Sequence, residues 1–209
     1  MPTALRSAET GDLRSVPPAV RDDASDCNLM AAIRDGDHAA YRILVQRHLG
    51  RAFGLARRLS GDAAEAEDVA QDVFLQIWRR RASWSDDGAQ FTTWLYRAVV
   101  NRVIDHRRRP RNDHIDAVPE PAVGGPDAVD RLHRRQVADR LRQAQEKLPQ
   151  QQKIAVALYY FQGLSAPEVA SIMDASVVAV EALLKRARQN LRQSLKASAQ
   201  TVRDSFDDG

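Results

Sequence analysis

The 209-residue sequence contains one cysteine, Cys27. That excludes an internal disulfide and a cysteine-rich zinc site. The five histidines (His38, His48, His106, His114, His133) are scattered without ligand-like spacing, so no metal site is expected and each reads as a surface or helix residue. No apolar run approaches the ~18 residues that a membrane span needs. The amino terminus lacks the apolar stretch of a signal peptide. A cytoplasmic chain without membrane insertion is therefore expected. There is no strand pattern and no internal repeat. No nucleotide-hydrolysis motif occurs, and the paired carboxylates Asp68 and Asp72 have no serine, cysteine or clustered histidine partner. The chain is thus expected to have no cofactor and not to be an enzyme.

What the sequence does have is charge arranged in blocks. Hydrophobic residues make up 44% and charged residues 28%, sufficient for a core in a soluble protein. The net charge is only +3. Residues 27–109 and 137–200 each hold an excess of four basic over acidic residues, whereas residues 1–26, 110–136 and 201–209 are net acidic. Two basic blocks separated by an acidic one suggest two nucleic-acid-facing modules.

Residues 1–26, rich in Ser, Asp, Pro and Ala, read as a disordered tail. From Cys27 the pattern is helical. Leu29, Ile33, Ala40, Ile43, Leu44 and Leu49 fall near helical spacing, interrupted at Gly36, where Asp37 is a plausible N-cap. A second helix is expected through Phe53, Leu55 and Leu59, closed by Gly61-Asp62. Ala66, Val69, Ala70, Val73 and Ile77 then form one apolar stripe, with Phe74 and Trp78 beside it and Asp68, Gln71, Asp72 and Gln76 on other faces. After a loop at 83–89, a helix from about Gln90 must end near Pro110.

Pro110, Pro119, Pro121, Gly124, Gly125 and Pro126 mark 110–136 as a linker, able to span at most roughly 90 Å. Helices are expected to resume near Val129 and run to Lys147. The next, Gln150–Phe161, carries Ile154, Leu158 and Phe161 on one side. The last two are expected at about Ala166–Met173 and Val177–Ala197, before an acidic tail, 201–209. The fold class is all-α, with two small helical domains (27–109 and 137–200), the second containing a helix-turn-helix.

Three segments bear on function. In 163–188, Ser165 can cap a helix with Pro167 and Glu168 in its first turn. Asp174-Ala175-Ser176 makes a turn, and Ser176 caps the next helix. Val177, Val180, Leu184, Ala187 and Leu191 pack inward; Ser176, Ala179, Glu181, Ala182, Lys185 and Arg186 face out. Such a helix can enter a major groove, with Lys185, Arg186, Arg188 and Arg192 meeting phosphates. The bland alternative is an αα-hairpin with solvated charges. Next, Trp84, Phe91, Trp94 and Tyr96 interleave with Arg97, Arg102, Arg107, Arg108 and Arg109, which suits single-stranded DNA. Trp94 and Leu95 read as core; Trp84 and Ser85-Asp86-Asp87-Gly88 read as exposed base contacts. Finally, the acidic helix 66–78 reads as a protein-binding face, against the alternative of a solvated surface.

Together these motifs resemble the extracytoplasmic-function (ECF) group of the bacterial sigma-70 family. AEDVAQDVFLQIW (66–78) resembles region 2.2, FTTWLYRAVVNRVIDHRRR (91–109) regions 2.3 and 2.4, DGDHAAYRILVQRH (35–48) region 2.1, and LPQQQKIAVALYYFQGLSAPEVASIM (148–173) region 4.1 and the start of 4.2. The resemblance implies a sigma2 and a sigma4 domain and a role in transcription initiation: an alternative sigma factor that binds core RNA polymerase, recognises −35 and −10 promoter elements and promotes melting. It implies core contacts to the β′ clamp helices through Asp68, Gln71, Asp72, Phe74, Gln76 and Trp78, with the β flap as a further partner surface. It implies −10 contacts through Trp84, Ser85, Asp86, Asp87, Arg97, Asn101 and Arg102. It implies −35 contacts through Ser165, Ser176, Val177, Ala179, Glu181, Ala182, Lys185, Arg186 and Arg188. Promoter DNA and an anti-sigma factor are the further implied partners. Where many relatives carry Lys and Arg in the recognition helix, this chain has Glu181 and Leu183, so their −35 preference does not transfer. A stand-alone helix-turn-helix regulator is the alternative reading.

Overall fold

The computed structural model describes residues 24–84, 90–108 and 138–207, and helices joined by turns are the only regular structure among them. The first three helices each begin where a side chain supplies an acceptor for their unpaired amides. Ser25 Oγ accepts from Asn28 N–H and opens α1 (Asp26–Arg34). Asp37 Oδ1 accepts from Ala39 and Ala40 at 2.8 and 3.1 Å and opens α2 (His38–Ser60). Gly61 ends α2 at φ 84°, a left-handed conformation that suits glycine. Asp62 accepts from Glu65 N–H at 2.8 Å and opens α3 (Ala63–Arg79). A 3-10 turn at Arg81–Ser83 precedes α4 (Phe91–Arg108).

The helix α2 runs unbroken through Gly50 and Gly54, where two helices had been expected. Each glycine weakens a helix by about 1 kcal/mol. Burial of Ala52, Leu55, Ala56 and Leu59 outweighs this, since a fully buried leucine contributes about 1.5–3 kcal/mol. The four helices enclose Leu29, Ile33, Leu44, Leu55, Val69, Val73, Leu95 and Val99, each at most 1% exposed. His48 is a helix residue that faces the core. It is 2% exposed, its Nε2 lies 2.8 Å from Asp26 Oδ2, and Arg47 Nη1 pairs with Asp26 Oδ1 at 2.7 Å, tying α1 to α2.

In the carboxy-terminal half, α5 (residues 138–146) leads to α6 (Gln150–Val156), which continues as a π-helical turn, Ala157–Phe161. That wider turn corrects one expectation. Ile154 and Leu158 are buried, but Phe161 is 41% exposed, because the added residue per turn rotates it off the inner side. The pair α7 (Ala166–Met173) and α8 (Val177–Asp207) follows. The backbone of α8 stays helical to Asp207, beyond the expected end at Ala197. The expected linker lies outside the described residues, as does nearly all of the amino-terminal tail.

The two halves touch. One apolar cluster runs from the α1–α4 core through Val100 and Val103 into Ile154, Ile172 and Leu158. The α4 helix packs on α7, and α2 packs on the π turn.

Candidate functional site

Three surfaces carry the residues singled out by the sequence. The first is the outer side of α3. Asp68 and Gln71 are exposed, Gln76 is half-buried, and Phe74 is a core residue, 4% exposed. Phe74 is therefore corrected from a contact residue to a structural one. Its carbonyl accepts from Tyr41 Oη at 3.0 Å. Trp78 is half-buried beneath its neighbours. His38 lies tilted against it at 4.3 Å, Tyr41 lies at 5.1 Å, and the Arg81 guanidinium sits 4.4 Å over its ring. Leu75, 46% exposed, was missed. It follows Asp68, Gln71 and Asp72 at spacings of seven, four and three, so all four share one face. That spacing was the available signal. An acidic rim around one exposed leucine is suited to a protein partner with a basic, partly apolar face.

Asp72 also looks inward, to the next helix. Its Oδ2 accepts from Arg102 Nε at 2.9 Å and from Arg102 Nη2, and His106 Nε2 lies 3.7 Å away. The Arg102 hydrogen bond, aided by the charges of Arg102 and His106, holds the Asp72 carboxyl below its usual range. Thus two residues expected to meet different macromolecules are bound to each other. Arg102, expected to meet the −10 strand, also ties α4 to α3.

The second surface is the amino-terminal part of α4 with the turn before it. Trp84 is half-buried, not an exposed base platform. It lies 5.9 Å from Phe91 and 5.4 Å, edge-on, from Trp94. Phe91 and Leu95 are core and Trp94 is half-buried. Ser85, Asp86 and Asp87 lie outside the described residues. Arg97 and Asn101 are exposed and line a groove with Gln151, Met173 and Asp174; Arg97 Nη2 donates to the Ser171 carbonyl.

The third surface is the helix-turn-helix. Glu168 accepts from the Ser165 amide at 2.7 Å and closes the start of α7. Asp174, at φ 51°, makes the left-handed turn, and Ser176 Oγ accepts from Ala179 N–H at 3.2 Å to open α8. Val180, Leu184 and Ala187 are buried, so the packed stripe begins one turn later than expected and Val177 is exposed. Glu181, Lys185, Arg186 and Arg188 are exposed, Ala182 half so. Sequence reasoning missed Val178, 74% exposed. With Ala182 and Lys185 it forms an i, i+4, i+7 row, the signal that marks it as outward. A row of two small apolar side chains ending in Lys185 fits a major groove, where a valine can meet a thymine methyl and cations can meet phosphates. No group of three or more His, Cys, Asp or Glu residues that could hold a metal ion occurs among the described residues.

Comparison with known proteins supplies the frame for these surfaces. The family model described as Sigma-70 region 2 matches residues 44–112, and that described as Sigma-70, region 4 matches residues 138–191. The RNA polymerase sigma-H factor of Pseudomonas aeruginosa is 30% identical over 182 residues, covering 82% of this chain and 94% of that protein. The ECF RNA polymerase sigma-E factor of Escherichia coli K12 is 32% identical over 178 residues, covering 79% and 91%. The solved structure of CnrH in complex with the cytosolic domain of CnrY superposes with a TM-score of 0.62 at 29% identity, covering 83% of this chain and 99% of that one. The region 2 match excludes the stand-alone regulator, which has no use for such a unit.

Proposed function

Since the chain belongs to the sigma-70 family, in its ECF group, and acts as an alternative RNA polymerase sigma factor, we propose how its surfaces divide that work. The α3 face of Asp68, Gln71, Asp72 and Leu75, with Gln76 and the edge of Trp78, docks on the β′ clamp helices of core polymerase. Residues 85–87 and the α4 residues Arg97 and Asn101 engage the separated −10 strand. The α8 row of Val178, Ala182 and Lys185, with Ser176, Val177, Ala179, Glu181, Arg186 and Arg188, reads the −35 element, and Ser165 lies at the start of the supporting helix. The carboxy-terminal half also meets the β flap. Residues 27–109 and 137–200 are the two working units.

The observation that carries this reading is one chain holding both an acid-rimmed leucine and a cation-edged helix-turn-helix. No bond chemistry is assigned to the protein: binding energy traps unstacked bases, and the polymerase performs catalysis. The work takes place in the cytoplasm, where the polymerase is. Among the described residues no helix is long and apolar enough to cross a membrane. Because CnrH is held by the cytosolic domain of CnrY, an anti-sigma partner is proposed for this chain as well.

Run-off transcription with purified core polymerase on a pool of promoter fragments tests the reading. Discrete transcripts that require this protein are expected, and they yield the −35 and −10 sequences directly. A folded protein that binds core yet yields no specific transcript would overturn the promoter assignment.

A further inference from the structure

The first turns of α8 carry two unusual side chains, Glu181 and Leu183, and the structure separates them. Leu183 is half-buried and packs against the core, whereas Glu181 is exposed. Between Ser176 and Arg192, Glu181 is the one acidic residue, set against Lys185, Arg186, Arg188 and Arg192. It lines one groove with Val178, Ala182 and Lys185, the outward row of the helix. Its carboxylate has no hydrogen-bond or ion-pair partner among the described residues, although Lys185 stands one turn on. The carboxylate is therefore available to whatever the helix meets.

On a helix that meets DNA, a carboxylate is repelled by phosphate but is selective at a base edge. An ionised carboxylate accepts hydrogen bonds and donates none. In the major groove guanine N7 and O6 and thymine O4 are acceptors, so they face it lone pair to lone pair. Cytosine offers its N4 amino group, while the amino group of adenine sits beside the acceptor N7. Cytosine is the better match. Position along the helix also favours a base edge. Glu181 is the fifth residue of α8, in the part that enters the groove when a helix-turn-helix docks. Val178, 74% exposed, precedes it by three residues, about 4.5 Å along the axis. That rise is close to the ~3.4 Å step between base pairs, so the two side chains reach neighbouring pairs.

We propose that Glu181 and Val178 set the −35 preference of this chain: the Glu181 carboxylate accepts from a cytosine amino group, and Val178 meets the methyl of a neighbouring thymine. The inference rests on the −35 reading above and deepens it by naming the bases. Glu181 acts largely by exclusion. Opposite guanine or thymine it is left desolvated against another acceptor, which costs affinity without a steric clash. The same negative charge weakens the general pull of α8 on phosphates. The helix thus trades sequence-independent affinity for a choice of base.

The test uses the full chain as holoenzyme with core polymerase. A promoter that it transcribes is randomised across the upstream element, and bound fragments are sequenced for wild type, Glu181→Gln and Val178→Ser. Both positions are exposed, and each variant is checked for unchanged helicity and melting. Wild type is expected to prefer cytosine at one position by about tenfold, with thymine at a neighbouring pair. Glu181→Gln is expected to replace that cytosine by adenine on the same strand, because an amide pairs with adenine N6 and N7. The other positions should stay as they are. Val178→Ser is expected to relax the thymine position alone. A glutamate with only a structural role would alter affinity equally for every fragment and leave the preference in place. An unchanged cytosine preference in folded Glu181→Gln, or a wild-type element without cytosine, overturns the Glu181 assignment while the −35 reading stands. An unchanged thymine preference in Val178→Ser overturns the Val178 assignment. A wild-type holoenzyme with no upstream preference at all overturns the −35 reading itself, and this inference with it.

Discussion

Asp72 on α3 and Arg102 on α4, thirty residues apart, form a two-pronged ion pair, with Nε to Oδ2 at 2.9 Å. The helix proposed to grip the polymerase is thereby fastened to the helix proposed to meet the −10 strand. The side chains are 37% and 35% exposed, so water screens the pair and its contribution is at most about 1 kcal/mol.

The pair makes stability depend on acidity in a defined direction. Arg102 holds the Asp72 carboxyl below its usual value. A carboxylate lowered on folding adds stability that is fully present above its unfolded pKa, near ~3.9, and is lost as pH falls through the folded value. Asp72→Asn is expected to lower the urea midpoint slightly at pH 7. The difference from wild type should vanish at pH values below the folded pKa. A gap that persists in acid would show that the effect is not ionic.

Core binding is probed more cleanly at Asp68 than at Asp72, because Asp68 is exposed and reversal there leaves the Arg102 pair intact. Asp68→Arg is expected to weaken binding to core polymerase by about tenfold, roughly 1.4 kcal/mol, with unchanged helicity. A pull-down with wild-type affinity would remove this face from the polymerase contact.

Arg186 is exposed on α8, beside the outward row. Arg186→Ala is expected to weaken holoenzyme binding similarly across promoter sequences and to reduce the salt slope by about 1. An unchanged slope would take Arg186 off the list of phosphate contacts.

Lys153 is buried between the two halves, where burial first and then the Arg107 charge lower its pKa, with Glu146 and Glu65 opposing. The folded form sheds its proton before the unfolded form does, so the burden of burying charge is greatest at neutral pH. Stability therefore rises with pH from the folded value up to about 10.4. Lys153→Met, which replaces the buried charge with an apolar chain, is expected to stabilise the protein by about 1 kcal/mol at pH 7. The gain should shrink as pH approaches 10 in urea titrations. Loss of stability would mean the ammonium is satisfied in place.

The sequence by itself determined the all-helical class, most of the helices and the local caps. Ser25, Asp37, Asp62 and Ser176 cap helices through contacts within three residues of chain, and such local chemistry is readable without a partner. The stripe from Ala66 to Ile77 likewise announces its inner side by spacing alone. The tertiary structure decided which residues beside each stripe remain free. Spacing gives an angle around one helix axis, but burial depends on what packs there and how far along. Hence Phe74 is core while Leu75 is exposed, and Val178 rather than Val177 is the more outward residue of α8. The Asp72–Arg102 pair, the covering of Trp78 by His38 and Tyr41, and the burial of Lys153 each join residues far apart in the chain. No local pattern encodes such meetings, since the packing of whole helices brings them about.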